Sequence, residues 1–508
     1  MPKAEVFQDL SLAAPQERQE LWRWLHSGLR AAIVEGRLKA GARMPSTRSL
    51  ARQYNVSRGT VTTAFDQLHA EGYTMTQVGA GTFVASELPD DSMSVRANDR
   101  ALNLPDSTAK LSDRARMMIK GVRHAPASHS LGKAFRSYEP AIDLFPVSLW
   151  ARIAGRVLRR APRSLYGQGE VGGYRLLRKA IAEYLGAARG VRCDARQVII
   201  TAGAQQALDL VARILLDPGD PVCLEDPGYP GAWFTLRAAG AQLVAVPVDE
   251  QGFNVQAARR LTSRARLAYV TPANQFPLGT TMSLDRRLEL LNWAANAGVL
   301  IIEDEYDAEY RYFGQPIAAL QSLDRSGSVL YVGTFTKMLF NALRLGFLVL
   351  PERFVSAFEA ARSFIDRHPP TLEQAILAEF ILEGHFGQHV RRMRQVYAER
   401  VSALGEAAVK QLGGMVEVTP AVAGMRTIGW LTIQSADIAV AERARALGLE
   451  LAALSEFTIR HSQPPALVLG FAGCSVNELR RGVTVLATAL QEFSKPRAQQ
   501  ASSQIGNR

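Results

Sequence analysis

The stretch VGTFTKMLFNALRLGF, Val332–Phe347, places one lysine between an apolar strand and an apolar turn. This residue, Lys337, has Phe335 and Met338 as close neighbours, and the stretch contains no acid. A lysine in such surroundings either packs its stem along apolar surface with its ammonium group in water, or has a reactive amine. The residues that the fold brings near Lys337 decide between these two roles.

Short apolar runs alternate with amphipathic helical segments on both sides of this stretch. The runs are VIIT (198–201), VCLE (222–225), LVAVPV (243–248), LAYV (267–270), VLIIED (299–304), VLYV (329–332) and GFLVL (346–350). Continuous apolar strands separated by helices predict an α/β domain with a mainly parallel sheet that helices cover on both faces. Ligands of such sheets bind at the carboxyl ends of the strands.

Polar residues follow directly after several of these strands. After VIIT the chain turns through Gly203 into a helix at Ala204 and Gln205, where free N–H groups and the helix dipole favour a phosphate, although such turns also occur without a ligand. Tyr229, in DPGYPG, either stacks on a planar ligand or packs in the core. Asp304 is costly to bury without a cationic partner, a role that a protonated heterocyclic nitrogen would fill.

Together with Lys337, these residues are the components of a site for a cofactor aldehyde, which a lysine holds as a Schiff base. Thr334 and Arg344 would complete the phosphate shell. The order along the chain (phosphate turn, tyrosine, aspartate, lysine, arginine) resembles the fold type I pyridoxal-phosphate enzymes of the aspartate aminotransferase superfamily, over roughly residues 140–490. This resemblance implies that fold, a smaller C-terminal α+β subdomain, and pyridoxal 5'-phosphate as cofactor.

The resemblance also implies individual roles. Lys337 would form the internal aldimine, Asp304 would keep the pyridine nitrogen protonated, Tyr306 would reach the ring hydroxyl and Tyr229 would stack on the ring. The residues implied at the phosphate are Ala204, Gln205, Thr334, Thr336 and Arg344. No group of metal ligands is implied.

The same resemblance raises three further points, which concern Tyr166, an amide near the ring hydroxyl and an arginine for the effector. Tyr166 in LYGQGEVGG would reach the phosphate of the partner subunit, because these enzymes are usually dimers with shared sites. The turn TPANQFPLG departs from the NPTG-like sequence of the superfamily, which leaves Asn274 or Gln275 as the amide near the ring hydroxyl. Arg426 and Arg460 are the candidates for gripping an effector carboxylate, and each is equally compatible with a structural role.

The N-terminal region has a different pattern. Leu21, Leu25, Leu29 and Ile33 recur every four residues, which predicts one apolar face of a helix that ends near Gly36. A second helix is predicted to start at PST (45–47), with Leu50, Ala51 and Tyr54 on its buried side. These two predicted helices precede a third.

Ser57 is a good N-cap for that third helix, and Val61, Phe65 and Leu68 form its apolar stripe, to about Glu71. Two short helices joined by a tight turn predict a helix-turn-helix, and GYTMTQVGAGTFVAS with its Gly79-Ala80-Gly81 tip predicts a β-hairpin wing. From residue 37 to 65 there are six basic residues and no acid. The alternative is a helical surface domain with a solvated charge run.

Segment 18–86, with MPSTRSLA, VSRGTVTTAFDQL and GAGTFV, resembles the winged helix of the GntR family of bacterial repressors. The resemblance implies contact with double-stranded operator DNA through six residues. These are Arg48, Ser57, Arg58, Thr60, Thr62 and Gly81.

Composition is consistent with a DNA-binding protein of the cytoplasm. The net charge is +11, the hydrophobic fraction is 47%, and the three cysteines lack a CxxC spacing, which predicts neither a disulfide framework nor a zinc site. No apolar run of membrane-spanning length and no signal peptide is evident, so we expect a cytoplasmic protein without membrane contact.

The predicted domains are a GntR-type winged helix (15–86), a linker (87–135), an aminotransferase-like domain (136–495) and a disordered tail (496–508). This architecture resembles the MocR family of bacterial regulators, which implies a head-to-tail homodimer and a DNA-binding transcriptional regulator that senses pyridoxal phosphate, an amino acid or an amine by aldimine exchange at Lys337. The alternative is an active aminotransferase with an accessory DNA-binding domain, so enzymatic turnover stays open. A third interpretation is a cofactor-free dimerisation scaffold, which the presence of Lys337, Asp304 and Arg344 together disfavours.

Overall fold

The computed structural model describes residues 10, 12, 14–15, 20–77, 80–89, 111–120 and 133–494. The chain divides into two compact units between Lys110 and Leu111. Most of the predicted linker and the whole predicted tail lie outside the described residues, as does Gly79 at the predicted tip of the wing.

The described part of the first unit contains three α-helices followed by a β-hairpin. Their bounds are α1 Leu21–Val34, α2 Thr47–Gln53, α3 Arg58–Ala70, β1 Thr74–Gln77 and β2 Gly81–Val84. Ser46 and Ser57 cap α2 and α3 by accepting hydrogen bonds from the backbone N–H groups of Ser49 (3.1 Å) and Thr60 (3.0 Å). β1 and β2 pair antiparallel. The predicted helix-turn-helix and wing are therefore confirmed.

The core of this unit lies between α1 and α3, where Leu25, Leu29 and Val61 are fully buried. The prediction was wrong for Leu21, which is 45% exposed. A helix turns by about 100° per residue, so a four-residue spacing drifts by about 40° at each step. Over three steps the drift places Leu21 about a third of a turn away from Ile33, outside the buried face.

The second unit is built on a sheet that has eight strands within the described residues. In chain order they are β3 Val198–Thr201, β4 Pro221–Asp226, β5 Gln242–Asp249, β6 Gly252–Phe253, β7 Leu267–Val270, β8 Leu300–Glu305, β9 Val329–Thr334 and β10 Gly346–Val349. Their order across the sheet is β3-β10-β9-β8-β7-β4-β5-β6. All pairings are parallel except those of β10 with β3 and β9 and that of β6 with β5. Each predicted apolar run is a strand of this sheet.

Helices cover both faces of the sheet. Those that precede or lie between its strands, or follow it directly, are α4 Asp113–Lys120, α5 Val147–Arg160, α6 Arg175–Arg189, α7 Ala204–Leu215, α8 Pro230–Ala238, α9 Val255–Leu261, α10 Leu284–Ala297, α11 Leu320–Leu323, α12 Glu352–Ile365 and α13 Leu372–Leu382. Successive residues of a strand point to opposite faces, so Val198 and Ile200 belong to one buried cluster and Ile199 to another. Among the described residues, no helix combines the length and apolar character that a membrane crossing needs.

A smaller α+β subdomain follows, as predicted. Its elements are α14 His385–Leu412, β11 Val416–Val418, β12 Arg426–Leu431, α15 Asp437–Ala446, β13 Ala452–Ala453, β14 Ala466–Gly470 and α16 Val476–Ser494. The strands form an antiparallel sheet in the order β11-β12-β14-β13. Asp226, at the end of β4, accepts hydrogen bonds from the backbone N–H groups of Ile459, Arg460 and His461 at 2.7 Å each. These bonds attach the subdomain to the carboxyl end of a strand of the large sheet.

Candidate functional site

Three segments that are distant in sequence meet at one end of the strands of the large sheet, the end at which the parallel strands have their carboxyl termini. This end is called the edge of the sheet below. β8 and β9 run parallel, so Asp304 and Thr334 lie at the same end. Gly346 of β10 pairs with Thr201 on one side and with Thr334 on the other. A Cβ atom on Gly346 would lie 2.8 Å from the Cα of Gly203, so the turn after β3 packs directly against this end of β10.

Asp304 is buried, and its carboxylate is only half satisfied. Oδ2 accepts a hydrogen bond from the Tyr269 hydroxyl at 2.7 Å, whereas Oδ1 has no hydrogen-bond partner within the described part of the chain. Burial raises the pKa of Asp304 to about 7; the Tyr269 hydrogen bond opposes that increase and the charges of Glu305 and Asp307 add to it. A cation at Oδ1 would stabilise the ionised carboxylate.

Lys337 lies three residues beyond the end of β9 and is half-buried. Its Nζ donates a hydrogen bond to the backbone oxygen of Tyr138 at 2.8 Å. Burial lowers the pKa of the amine to about 8; the charges of Asp307 and Glu139 raise it and those of Arg344 and Arg426 lower it further. The neutral, nucleophilic amine is therefore populated near neutral pH, which favours the chemical role over the structural one.

We expect acetic anhydride to acetylate Lys337 with a pH midpoint near 8, because only the neutral amine reacts and burial lowers its pKa. Competitive labelling of the cofactor-free protein between pH 6 and 11, quantified by mass spectrometry of the peptide that contains Lys337, measures the midpoint. An added unstructured lysine peptide serves as the reference and should give a midpoint of about 10.4. A Lys337 midpoint equal to that of the reference peptide would show that its amine is not perturbed.

The turn between β3 and α7 forms a cradle at the same edge. Gly203 has φ +94°, a backbone conformation that favours glycine, and α7 begins at Ala204. Arg344 lies over this turn, with Nη2 donating to the Ala202 oxygen at 2.7 Å. Oγ1 of buried Thr336 has no hydrogen-bond partner among the described residues. Helix N–H groups, a guanidinium and a free hydroxyl are suited to an anion such as phosphate.

The neighbouring side chains have structural partners of their own. Thr334 accepts the Thr336 backbone N–H through Oγ1 at 3.2 Å. Gln205 donates through Nε2 to the Gly231 oxygen (3.1 Å) and accepts the Tyr229 hydroxyl at 3.3 Å. The Gln205 side chain thus positions Tyr229. The backbone N–H of Gln205, in the first turn of α7, remains suited to an anion.

Tyr229 is half-buried, and its ring packs edge-to-face on Phe276 with centroids 5.6 Å apart. Burial raises the pKa of the Tyr229 hydroxyl, so the side chain stays neutral. The structure brings Tyr229, Asp304, Lys337 and the Gly203 turn to one edge of the sheet.

The Tyr306 hydroxyl, which the resemblance directs to the ring hydroxyl of the cofactor, has two partners within the chain. The hydroxyl donates its proton to the Asn274 oxygen at 2.5 Å and accepts a hydrogen bond from Arg426. The Asn274 amide donates in turn to Asp307 at 2.8 Å. Gln275 is held by structural partners: Nε2 donates to the Phe276 oxygen within the turn at 2.6 Å and to the Pro227 oxygen, after β4, at 2.9 Å. Of the two amides, the one in contact with the Tyr306 network is therefore Asn274.

Arg426, at the start of β12, joins this network, whereas Arg460 does not. The buried Arg426 guanidinium lies 4.3 Å from the Phe276 ring centroid, and Nη1 lies 3.7 Å from Oδ2 of Asp307. The Arg460 side chain is exposed, and its backbone N–H is bound to Asp226. Of the two candidate arginines, Arg426 is thus the one that lies at the site.

Tyr166 is 61% exposed, and its hydroxyl donates to the Leu158 oxygen at 3.2 Å. Among the described residues the hydroxyl has this one hydrogen bond, so the predicted phosphate role would require a second subunit. Sequence reasoning missed Tyr138, Tyr269 and Phe276. Tyr269 is the third residue of the apolar run LAYV and could have been noticed as the polar atom in an otherwise apolar strand.

The first unit presents the predicted DNA-contact residues mostly on its surface. Arg48, Arg58 and Thr62 are exposed, and Thr60 is half-buried with its hydroxyl 2.8 Å from that of the N-cap Ser57. Gly81 has φ +113°, and a Cβ there would lie 3.2 Å from the Arg43 guanidinium. The exposed arginine at the N-terminus of α3 is placed as in a recognition helix.

Comparison with known proteins matches both units to families. Residues 25–84 match bacterial regulatory proteins of the gntR family, and residues 145–484 match aminotransferase class I and II. The chain is 40% identical, over 95% of both sequences, to the probable rhizopine catabolism regulatory protein MocR of Rhizobium meliloti. It is 33% identical to the HTH-type transcriptional regulator YdeL of Bacillus subtilis, over 93% of this chain and 96% of YdeL.

Among solved structures, a Pyrococcus horikoshii kynurenine aminotransferase superposes with a TM-score of 0.67 at 26% identity, covering 76% of this chain and 96% of that one. The lysine site and the winged helix thus have separate relatives, and the relatives that span nearly the whole chain are regulators. The chain belongs to the family of MocR-type transcriptional regulators, which join a gntR-family DNA-binding region to an aminotransferase class I and II region.

Proposed function

We propose that this chain is a DNA-binding transcriptional regulator whose large unit binds pyridoxal 5'-phosphate and senses that cofactor, an amino acid or an amine through Lys337. The domains are a winged helix (15–86), a linker (87–135), the sensing domain (136–495) and a tail (496–508). The observation that carries the proposal is the pairing, in one chain, of an exposed recognition helix with Lys337 and a half-satisfied buried Asp304 at one sheet edge.

The residues present fit the cofactor. Among the described residues, Oδ1 of Asp304 is a buried acceptor without a hydrogen-bond partner and is suited to a protonated ring nitrogen. Oγ1 of Thr336 is a buried hydroxyl that likewise has no partner there and is suited to a phosphate. The Gly203 turn and Arg344 supply the rest of an anion cradle. When bound, pyridoxal phosphate supplies an aldehyde that reacts with primary amines and a visible absorption band that reports this reaction.

Each of the proposed site residues then has a defined role. Lys337 presents a neutral amine, Asp304 holds the ring nitrogen and Tyr229 covers the ring. The residues that hold the phosphate are Ala204, Gln205, Thr334, Thr336 and Arg344. In a head-to-tail homodimer, Tyr166 of each subunit reaches the phosphate of the other. Asn274 and Tyr306 line the ring's hydroxyl side.

Arg426 is the group that would pair with an effector carboxylate. It is buried, remains charged and lies against the rings of Phe276 and Tyr306, at 4.3 and 5.1 Å from their centroids. An amino acid whose amine displaces that of Lys337 would place its carboxylate toward this guanidinium. Such an effector changes DNA binding only if it favours one conformation of the protein, typically by about 1 to 3 kcal/mol.

The first experiment is a spectral titration of the purified protein loaded with pyridoxal phosphate, using a panel of amino acids and amines. A visible band that shifts and then persists supports a sensor. Loss of the band followed by its recovery on addition of a keto acid would show that the chain is an active aminotransferase. Absence of any band with pyridoxal phosphate alone would contradict the proposal.

For the DNA-binding half, we expect Arg58→Ala to weaken binding to a duplex, selected from a random-sequence pool by the wild-type protein, by at least about fivefold. Arg58 lies exposed at the N-terminus of α3, and loss of one such contact typically costs about 1 to 3 kcal/mol. Fluorescence anisotropy at a fixed salt concentration measures the affinity.

Arg23→Ala is the matched control for Arg58→Ala. It removes the same charge from α1 of the same unit, where Arg23 is exposed and 3.1 Å from Glu20. This variant should bind the duplex within about threefold of wild type, since exposed ion pairs contribute little. Equal affinities for the Arg58 and Arg23 variants would exclude α3 as the recognition helix.

A further inference from the structure

Tyr138 contacts the reactive lysine in two ways. Its backbone oxygen accepts the Lys337 Nζ hydrogen bond at 2.8 Å, and Nζ lies 5.3 Å from the centroid of its ring. An amine at this distance from an aromatic face is attracted to it when protonated. Both the main chain and the ring of Tyr138 therefore lie beside the atom on which the proposed function depends.

The Tyr138 ring is also part of the aromatic wall of the site. It stacks on Phe276, with centroids 6.3 Å apart and an angle of 16° between the planes. Phe276 in turn contacts Tyr229 and Tyr306 edge-to-face and lies 4.3 Å from the Arg426 guanidinium. Burial raises the pKa of the Tyr138 hydroxyl to about 12, so the side chain is a neutral part of this wall.

The backbone of the segment that carries Tyr138 is hydrogen-bonded to the small subdomain, whereas the Tyr138 ring packs with side chains of the large sheet. Gly470 of β14 donates its N–H to the Phe135 oxygen at 3.0 Å, and the Ala141 N–H is bound by the Tyr397 hydroxyl of α14 at 3.0 Å. Lys337, by contrast, follows a strand of the large sheet. The hydrogen bond between Tyr138 and Lys337 thus joins a segment attached to the small subdomain to a segment that follows the large sheet.

We propose that Tyr138 determines which amino compounds reach Lys337: its ring covers the amine beside Phe276, and a compound with a bulky side chain must displace that ring. The inference rests on the proposed function, because it concerns access to the same amine. A small amine fits beside the ring, whereas each additional side-chain group meets it. Pockets that select by size in this way discriminate by about 10- to 200-fold.

The test uses Tyr138→Ala, which removes the ring and keeps the backbone oxygen, and Tyr138→Phe, which keeps both. Cofactor-free full-length protein is treated with formaldehyde or benzaldehyde and sodium cyanoborohydride, and alkylation of Lys337 is quantified by mass spectrometry. Because both aldehydes need the same neutral amine, the benzaldehyde-to-formaldehyde ratio reports space and not pKa. We expect this ratio to rise at least tenfold in Tyr138→Ala and to stay within threefold of wild type in Tyr138→Phe.

A second readout uses the loaded protein, in which half-maximal spectral change is measured with glycine and with L-phenylalanine. The preference for phenylalanine should rise at least tenfold in Tyr138→Ala, and Tyr138→Leu provides an intermediate variant if the alanine protein does not fold. An unchanged aldehyde ratio in both Tyr138→Ala and Tyr138→Leu would overturn the inference, whatever the loaded protein does. A wild-type protein that binds no pyridoxal phosphate would instead overturn the proposed function, and the aldehyde ratio would still decide the role of Tyr138.

Discussion

We expect replacement of Lys337 by alanine to abolish the proposed response of DNA binding to amino compounds and to remove covalent attachment of pyridoxal phosphate. The reason is that Lys337 supplies the amine at the end of β9, with a pKa that burial lowers to about 8, beside the cradle formed by the Gly203 turn. No noncovalent contact replaces a covalent bond, so we expect a loss of at least 100-fold in apparent cofactor affinity. The measurements are the visible spectrum during titration with pyridoxal phosphate, and DNA affinity with and without an effector that the spectral titration has identified.

Lys179→Ala is the control for this variant. Lys179 lies on α6 with its side chain 65% exposed and its amine 3.7 Å from Glu183, so the substitution removes an equal charge from an exposed position. The control should keep both the spectrum and the effector response. If the Lys337→Ala protein still changed its DNA affinity on addition of the effector, sensing would have to occur at another site.

Local sequence was sufficient for most of the fold because the signals are local. Each apolar run became a strand of the large sheet, since a strand buried on both faces needs apolar residues at successive positions. The bounds moved where pairing continues beyond the apolar run. VLYV (329–332) extends to Thr334, because Thr334 still pairs with Gly346 of β10.

The site was predictable only where its residues follow directly after a strand. Asp304 and Lys337 could be assigned because parallel neighbouring strands end at the same edge of the sheet. Tyr138 was not assigned, and Arg426 was named only as one of two candidates, because neither residue follows a strand of the large sheet. Their contacts with the site depend on how the small subdomain packs, and periodicity in one sequence carries no information about that packing.

Hydrogen bonding among buried residues was the other limit. Tyr306 and Gln275 have the right residue types for contact with a cofactor ring, but the Tyr306 hydroxyl donates to Asn274 and the Gln275 amide donates to Phe276 and Pro227. Asp304 and Thr336 are instead each left with one buried atom that has no partner among the described residues. Only coordinates show which buried polar atoms have a partner and which do not.

Asp304→Asn should make the cofactor-free protein more stable at pH 8 and at the same time weaken its binding of pyridoxal phosphate. The folded-state pKa of Asp304 is raised from 3.8 to about 7 by burial, so ionisation opposes folding. This cost is absent below pH 3.8, grows as the pH rises to about 7 and reaches about 4 kcal/mol above it. Asparagine avoids that cost, but its buried NH₂ group without an acceptor costs about 1 to 3 kcal/mol.

The net expectation is a gain of about 1 to 3 kcal/mol in the free energy of unfolding at pH 8, which falls by about 3 kcal/mol at pH 5. The other titrating groups are common to both proteins, and Glu225, whose pKa of about 7 is raised in part by the Asp304 charge, adds to the gain at pH 8. Urea unfolding of the cofactor-free proteins at the two pH values measures the gain. Cofactor affinity should fall at least 100-fold, since the variant leaves a buried ring cation without its anionic partner.

Asp209→Asn is the matched control for this variant, because Asp209 is an exposed aspartate on α7 that forms an ion pair with Arg213 at 2.7 Å. Both its stability and its cofactor affinity should stay close to wild type, as exposed ion pairs contribute about 0 to 1 kcal/mol. The opposite signs expected for Asp304→Asn distinguish a binding group from a structural one. A substitution that lowered stability at pH 8 and left cofactor binding intact would assign Asp304 to the core of the fold, because a purely structural aspartate cannot favour the cofactor at the expense of the empty protein.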